Sequence, residues 1–227
     1  MKSIKYALIF LWNEILNLVY PKQCIICGKL DDGILCEKCY NNEFRSKIIK
    51  EAKLEKHTNK NFNEHLYIFK YEGKIRNLII DYKFKDKPYL YELFVKFIIK
   101  NEKICRKIKK YDIIIPVPIH RKRKKERGYD QSELIARKIT EKFKKLEFIN
   151  NVLIKNKHTV RQSSLTREQR EQNVKQVYKL QNVEKIYNKK IILFDDIYTT
   201  GATCNECARL LMENGAKEVL VFTIAKD

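Results

Sequence analysis

Four cysteines, Cys24, Cys27, Cys36 and Cys39, form two C-x2-C pairs separated by eight residues. Each pair can turn so that both sulfurs face one ion. Four thiolates suit Zn²⁺ in a closed, structural site that leaves no open position for catalysis. Gly28 follows the first pair, where such a turn often needs a left-handed residue. Lys22, Lys29 and Lys38 lie close enough in sequence to offset the negative charge. Two disulfides or four free thiols are the plainer alternatives. The paired spacing favours structural zinc, which would hold together a segment too small to have much core. Seven cysteines in all, an odd number, fit a reducing compartment better than a disulfide framework.

A second constellation runs from Ile191 to Thr203. Ile191–Phe194 is an apolar run of buried-strand type, and Asp195 and Asp196 follow it directly. Thr199, Thr200, Gly201, Ala202 and Thr203 then lead into a helical pattern. Ligands of open α/β sheets bind beyond the carboxyl ends of strands. Backbone N–H groups at the start of a helix suit a phosphate, and the threonine hydroxyls add donors. Gly201 lets the backbone come close. The two carboxylates would repel a phosphate but can accept hydrogen bonds from vicinal hydroxyls, as on a ribose. The combination points to a 5-phosphoribosyl group. The alternative is an ordinary strand-to-helix turn with capping threonines. Neither G-x-x-x-x-G-K-[ST] nor G-x-G-x-x-G occurs.

Arg121, Lys122, Arg123, Lys124, Lys125 and Arg127 make six basic positions in a run of seven, just beyond Ile115-Pro116-Val117-Pro118. Near a sheet edge they could neutralise a pyrophosphate with Mg²⁺ bridging. The same run could grip a nucleic-acid backbone in a salt-sensitive way, or be a solvated basic loop. Cys204 and Cys207 form another C-x2-C, but they share a helical stripe with Ala208 and Leu211, so core packing explains them more simply. The stretch Tyr67–Tyr91, with Lys70, Lys83, Lys85 and Lys87 between its aromatics, could stack single-stranded bases. Core and surface tyrosines are the commoner explanation. Lys155–Lys175 carries His158, Arg161, Gln162, Arg167, Arg170 and Asn173 and reads as a mobile functional loop or a charged surface hairpin.

The elements that must position these groups follow from periodicity. Residues 41–64 read as a polar linker. A strand is predicted at Leu66–Tyr71, a helix at Ile75–Tyr82 after Gly73, and a helical run from Pro88 to Ile99. Asp112–Ile115 is a strand ending at Pro116. Asp130 to Leu146 is a helix opened by a capping box of Asp130 and Glu133. Val152–Ile154 is a strand, Thr203–Asn214 a helix and Glu218–Ala225 a strand. This alternation means an α/β fold with a central parallel sheet flanked by helices.

With 227 residues, 44% hydrophobic and 33% charged, the chain has material for a core, which excludes wholesale disorder. The net charge of +20 makes a phosphate-bearing partner plausible. Lys, Ile and Asn are abundant throughout, so coding bias accounts for part of that charge and only local clusters carry weight. No stretch reaches the ~18 apolar residues needed to span a membrane. Ile4, Leu8, Leu11, Ile15 and Leu18 recur at helical spacing, as in an amphipathic helix packed on the protein, with membrane-surface contact as a lesser alternative. The expected location is the cytoplasm, without stable membrane insertion.

The 191–203 segment resembles the signature of type I phosphoribosyltransferases. Ile115-Pro116-Val117-Pro118, Arg127-Gly128-Tyr129-Asp130-Gln131 and Gln162-x2-Leu165-x4-Arg170-x2-Asn173, with the four-cysteine module, resemble the ComF family of competence proteins. The resemblance covers nearly the whole chain, most specifically residues 24–39 and 113–225. Tyr129-Asp130 stands where the family commonly has Phe-Asn, which leaves the role of Asp130 open. The resemblance implies an N-terminal helix and zinc module over 1–45 and a phosphoribosyltransferase-like domain over 46–227. It implies binding of 5-phosphoribosyl-1-pyrophosphate (PRPP), with Mg²⁺, by Asp195, Asp196, Thr199, Thr200, Gly201, Ala202, Thr203, Arg127 and Gly128. Asp195 and Asp196 are the candidate catalytic pair. It also implies a role in DNA uptake and natural transformation, with Arg121, Lys122, Arg123, Lys124 and Lys125 on single-stranded DNA, and a DNA-translocating helicase or recombination proteins as partners. An active Mg²⁺-dependent phosphoribosyltransferase with an unnamed acceptor is the alternative.

Overall fold

A computed structural model describes residues 22–31, 33–156 and 177–227. The expected helix over residues 4–18, and the 155–175 segment beyond Asn156, lie outside the described residues. The chain divides into two compact units between Ile49 and Lys50.

In the first unit an isolated antiparallel bridge joins Gln23 to Leu30, enclosing the first cysteine pair. Cys36 caps helix Glu37–Cys39, which ends on Cys39 and runs into a π-helical stretch, Tyr40–Arg45, and then helix Ser46–Glu51, within which the first unit ends. The expected linker over 41–64 is therefore wrong. Tyr40, Phe44 and Ile48 recur every four residues and are buried, a stripe obscured by the Lys and Asn around it.

The second unit is built on a six-stranded sheet. Its strands are β1 (Lys53–Lys56), β2 (Glu64–Lys70), β3 (Ile113–Pro116), β4 (Glu147–Phe148), β7 (Lys190–Tyr198) and β8 (Glu218–Lys226). They lie in the order β1-β2-β8-β7-β3-β4, and only the β1–β2 pairing is antiparallel. β5 (Leu153–Lys155) and β6 (Tyr178–Leu180) form a separate two-stranded antiparallel sheet, so the strand expected near 152–154 does not join the main one.

The helices of this unit are α1 (Gly73–Phe84), α2 (Tyr91–Ile99), α3 (Glu102–Ile108), α4 (Arg121–Arg127), α5 (Gln131–Thr140) and α6 (Ala202–Glu213). The central strands are apolar on both faces, as a parallel sheet covered on both sides requires. Ile191, Leu193, Val219 and Val221 share a core with Cys204, Cys207, Ala208 and Leu211 of α6. The second C-x2-C is thus packing material. α5 is shorter than expected: after Thr140 the chain turns and enters β4.

From β3 the chain passes through α4 and α5 to β4 on one side of the sheet's centre. From β7 it passes through α6 to β8 on the other. The connections leaving adjacent strands β3 and β7 therefore diverge, which makes their carboxyl ends the topological switch point of the sheet. In doubly wound sheets this switch point is where ligands bind.

Candidate functional site

Among the described residues, each unit brings together one of the groups of side chains singled out in the sequence. In the first unit the sulfurs of Cys24, Cys27, Cys36 and Cys39 all lie within 4.8 Å of one another, with Cys27 and Cys36 3.9 Å apart. Zn–S bonds of ~2.3 Å in a tetrahedron separate sulfurs by about 3.8 Å, so the set fits zinc with little movement. Gly28 takes φ +69°, which closes the first knuckle. Backbone N–H groups point inward, and Cys39 N–H donates to Cys36 Sγ at 3.4 Å. At Cys24 burial raises the thiol pKa, but amide donors from Cys36, Cys27 and Ile26 outweigh it and bring it down to about 6. Burial pushes the Cys39 thiol up, and its hydrogen bonds with the other three cysteines reinforce this. Four thiols this close cannot all ionise without a cation, and a divalent ion removes that conflict.

In the second unit the acidic pair sits at the β3–β7 switch point. β7 runs through Asp195 and Asp196 to Tyr198, so both acids belong to the strand rather than to the turn after it. Asp195 accepts from Ser132 Oγ at 3.2 Å and from its neighbour's amide at 2.9 Å. Burial raises its carboxyl, the Asp196 charge raises it further, and together they push it up to about 7. Asp196 is 7% exposed and pairs with Lys83 Nζ at 2.7 Å. In the sequence Lys83 is one of the lysines between the aromatics of a stretch that could stack bases, and nothing there ties it to a carboxylate. It comes from the end of α1, and only the tertiary fold brings it to Asp196.

Tyr82, next to it, is buried and donates to the carbonyl of Gln131 at 2.9 Å, which makes it core rather than a stacking platform. Lys85 and Lys87 pair with Asp81 at 2.8 and 2.7 Å.

The turn Thr199–Gly201 joins β7 to α6. Gly201 has φ +75° and caps α6, and a Cβ built there would overlap the Tyr198 ring and hydroxyl. Glycine is therefore required twice over, by backbone sign and by space. Thr200 Oγ1 accepts from Ala202 N–H at 3.4 Å, while Thr199 and Thr200 remain partly exposed. Thr203 hydrogen-bonds with the buried Tyr178 hydroxyl.

The basic run is a helix, α4, and not a loop. Lys and Arg are good helix formers, His120 Nδ1 caps the start by accepting from Lys122 N–H at 3.2 Å, and Gly128 ends it with φ +78°. The helix sorts its charges. Arg123 and Arg127, four apart, are half-buried, whereas Arg121, Lys122, Lys124 and Lys125 are exposed. Arg127 lies 5.1 Å over the Phe84 ring; burial pulls its guanidinium pKa down while the Asp196 charge opposes this. Lys124 is held by Glu133 at 2.7 Å. Lys155 of β5 lies over the Tyr178 ring; burial and the Arg123 charge lower its pKa, and the Asp195 charge opposes them. The two carboxylates thus interact with Lys83, Arg127 and Lys155, and Arg123 acts on Arg127 and Lys155 behind them.

Asp130 has a structural role that the departure from the family pattern had left open. Its carboxylate accepts from Glu133 N–H at 3.1 Å, capping α5, and from Ile119 N–H at 3.2 Å, tying the β3–α4 connection to that helix.

The chain is 31% identical to competence protein ComFC of Streptococcus pneumoniae over 162 residues, which cover 71% of this chain and 68% of that protein. It belongs to the ComF family. This ComF chain is also 29% identical to competence protein F of Haemophilus influenzae over 153 residues, 66% of either chain. With the DNA utilization protein YhgH of Escherichia coli K12 it shares 28% identity over 115 residues. That match spans 51% of the ComF chain and about half, 49%, of YhgH. No protein-family model matches. Among solved structures, adenine phosphoribosyltransferase of Leishmania tarentolae aligns over 77% of the chain and 95% of its own length, at 12% identity and a TM-score of 0.34. At that score the likeness carries nothing about activity. Among the described residues no helix is long and apolar enough to cross a membrane.

Proposed function

We propose that this ComF protein binds PRPP at the β3–β7 switch point and acts in DNA uptake, with single-stranded DNA on the exposed face of α4. The observation that carries the reading is the run from Asp195 and Asp196 through an open threonine turn into the N-terminus of α6. In this reading the acids accept the ribose hydroxyls, and the turn's amides and hydroxyls take the 5-phosphate. Arg127 and Lys83 border the acids, where a pyrophosphate needs counter-charge. Mg²⁺ would enter with the pyrophosphate and neutralise it. Asp196 is held by Lys83, so the diol shares or displaces that ammonium when it binds. The raised pKa of Asp195 keeps part of the population protonated near neutral pH, and ligand hydroxyls and Mg²⁺ would favour the charged form.

The names of the relatives support the DNA-uptake role. The exposed Arg121, Lys122 and Lys125 support a sequence-independent grip on phosphates. The zinc module would be structural, since four thiolates leave no open coordination position. The test is thermal stabilisation by PRPP with and without Mg²⁺, combined with an assay for released pyrophosphate. Stabilisation without turnover supports a binding protein, turnover with any base or amine makes the protein a transferase, and no stabilisation removes the PRPP reading.

A further inference from the structure

A second set of metal-ligating side chains lies on the β1–β2 edge of the sheet. In the antiparallel β1–β2 register Glu55 stands directly opposite His65. His57, two residues after Glu55, falls on the same face by strand alternation, and its N–H still bonds across to Asn63 at 3.1 Å. One carboxylate oxygen of Glu55 and one ring nitrogen from each histidine lie within 4.8 Å of one another. His57 Nε2 is 3.8 Å from Glu55 Oε2.

The hydrogen bonding leaves a specific gap. His65 is fully buried, its Nε2 is 2.9 Å from Thr223 Oγ1, and its ring stacks on Tyr198 at 4.1 Å. Its Nδ1 is buried and has no hydrogen-bond partner among the described residues, and the same holds for His57 Nε2. Two buried imidazole nitrogens without a hydrogen-bond partner therefore belong to one cluster with a carboxylate, and leaving them unsatisfied is unfavourable. The His65–Thr223 contact can run in either direction; with Nε2–H donating to Thr223 Oγ1, Nδ1 carries the lone pair that can ligate, and that contact is then the usual second hydrogen bond of a metal-bound histidine. Glu55 is held the same way. Lys226 Nζ contacts its two oxygens at 2.8 and 2.7 Å, and the Tyr67 hydroxyl donates to Oε1 at 3.1 Å.

We propose that His57 Nε2, His65 Nδ1 and Glu55 Oε2 bind a late first-row divalent metal ion, with Zn²⁺ as the reference ion. Two imidazoles and a carboxylate suit Zn²⁺, Co²⁺, Ni²⁺ or Cu²⁺ better than Mg²⁺ or Ca²⁺. Bond lengths of ~2.0–2.2 Å bring the donors to about 3.4 Å apart. Closing the set needs movement of about an ångström, which Glu55 and His57, both less buried than His65, can supply around a fixed His65. Oε1 keeps Lys226 and Tyr67 while Oε2 turns to the metal. Lys226 adds a positive charge beside the ion, so this site is weaker than the four-cysteine one and three protein ligands leave it a position for water or an anion. His65 stacks on Tyr198, the residue against which Gly201 is packed, so occupancy also stiffens the support of the threonine turn.

The test is calorimetric titration of Zn²⁺ into the full chain already carrying zinc on its cysteines. One further equivalent is expected to bind, with affinity reduced at least tenfold in His57→Gln and in Glu55→Gln. Both altered side chains keep some exposure to water, 24% for His57 and 29% for Glu55, and circular dichroism checks that the variants fold. Co²⁺ added to the same zinc-loaded protein should give ligand-field bands without thiolate charge transfer. No second equivalent, equal binding by both variants, or a thiolate band from the added Co²⁺ would each overturn the proposal. None of these outcomes depends on whether PRPP binds.

Discussion

Lys83→Met removes one ammonium from the centre of the site, and its consequences can be worked from the geometry. Lys83 Nζ is 2.7 Å from Asp196 Oδ1, with the two side chains 20% and 10% exposed. Removing one partner of a buried pair costs about 3–5 kcal/mol, because the other charge is left desolvated. Here both groups keep some water and Arg127 stays close to Asp196, so the expected loss is about 2–3 kcal/mol. For a domain of this size that is a fall in Tm of roughly 4–12 °C. Asp196→Asn in the Lys83→Met background removes the stranded charge and should restore most of the loss. The assay is urea denaturation and thermal melting of the parent, both single variants and the double variant, taken as a cycle. A Lys83→Met protein as stable as the parent, or a double variant no more stable than Lys83→Met, would refute the view that this pair is a desolvated unit.

Other expectations rest on separate observations. Burial and the neighbouring acid raise Asp195 from its ordinary value to about 7, so between about pH 4 and 7 the folded state binds a proton the unfolded state has lost. Its contribution to stability is therefore intact at low pH and falls as pH rises through that window. Asp195→Asn should be more stable than the parent at pH 8, with the advantage fading toward pH 4; an advantage independent of pH contradicts this. Gly201→Ala places a methyl group on the Tyr198 ring at a φ of +75° and should cost about 2 kcal/mol or more, part of it recovered by Tyr198→Leu. Equal melting of Gly201→Ala and the parent contradicts that. Replacing Arg121, Lys122 and Lys125 by Ala should flatten the log–log salt dependence of single-stranded DNA binding by about 2, at ~0.7 per lost phosphate contact. An unchanged slope moves the DNA contacts away from α4.

The sheet's centre was legible in the chain because β3, β7 and β8 are runs of Ile, Val, Leu and Phe that a doubly covered parallel strand needs. Its margins were not. β1 reads Lys-Leu-Glu-Lys, and it is a strand because β2 pairs with it rather than through its own propensity. The helix in the basic run was not legible, because charge density hid a good helix-forming sequence between a His cap and a glycine stop. At the candidate site the acids and the threonine turn are contiguous and could be read directly. Lys83, Ser132 and Lys155 come from three other elements, and no local pattern marks them. Glu55 and His65 meet only through strand register, although the alternation of Glu55 and His57 was visible. The amino-acid order thus disclosed groups that act from one segment and withheld those assembled by the fold.

The central claim is that Asp195 and Asp196 hold the diol of a phosphoribosyl ligand. It is tested most directly by calorimetric titration of PRPP, in the presence of Mg²⁺, into the parent and into the Asp195→Asn/Asp196→Asn protein. Loss of two charge-assisted acceptors, each worth about 1.5–3 kcal/mol, should weaken binding at least a hundredfold with the fold intact by circular dichroism. A double variant that binds PRPP as tightly as the parent would contradict the account.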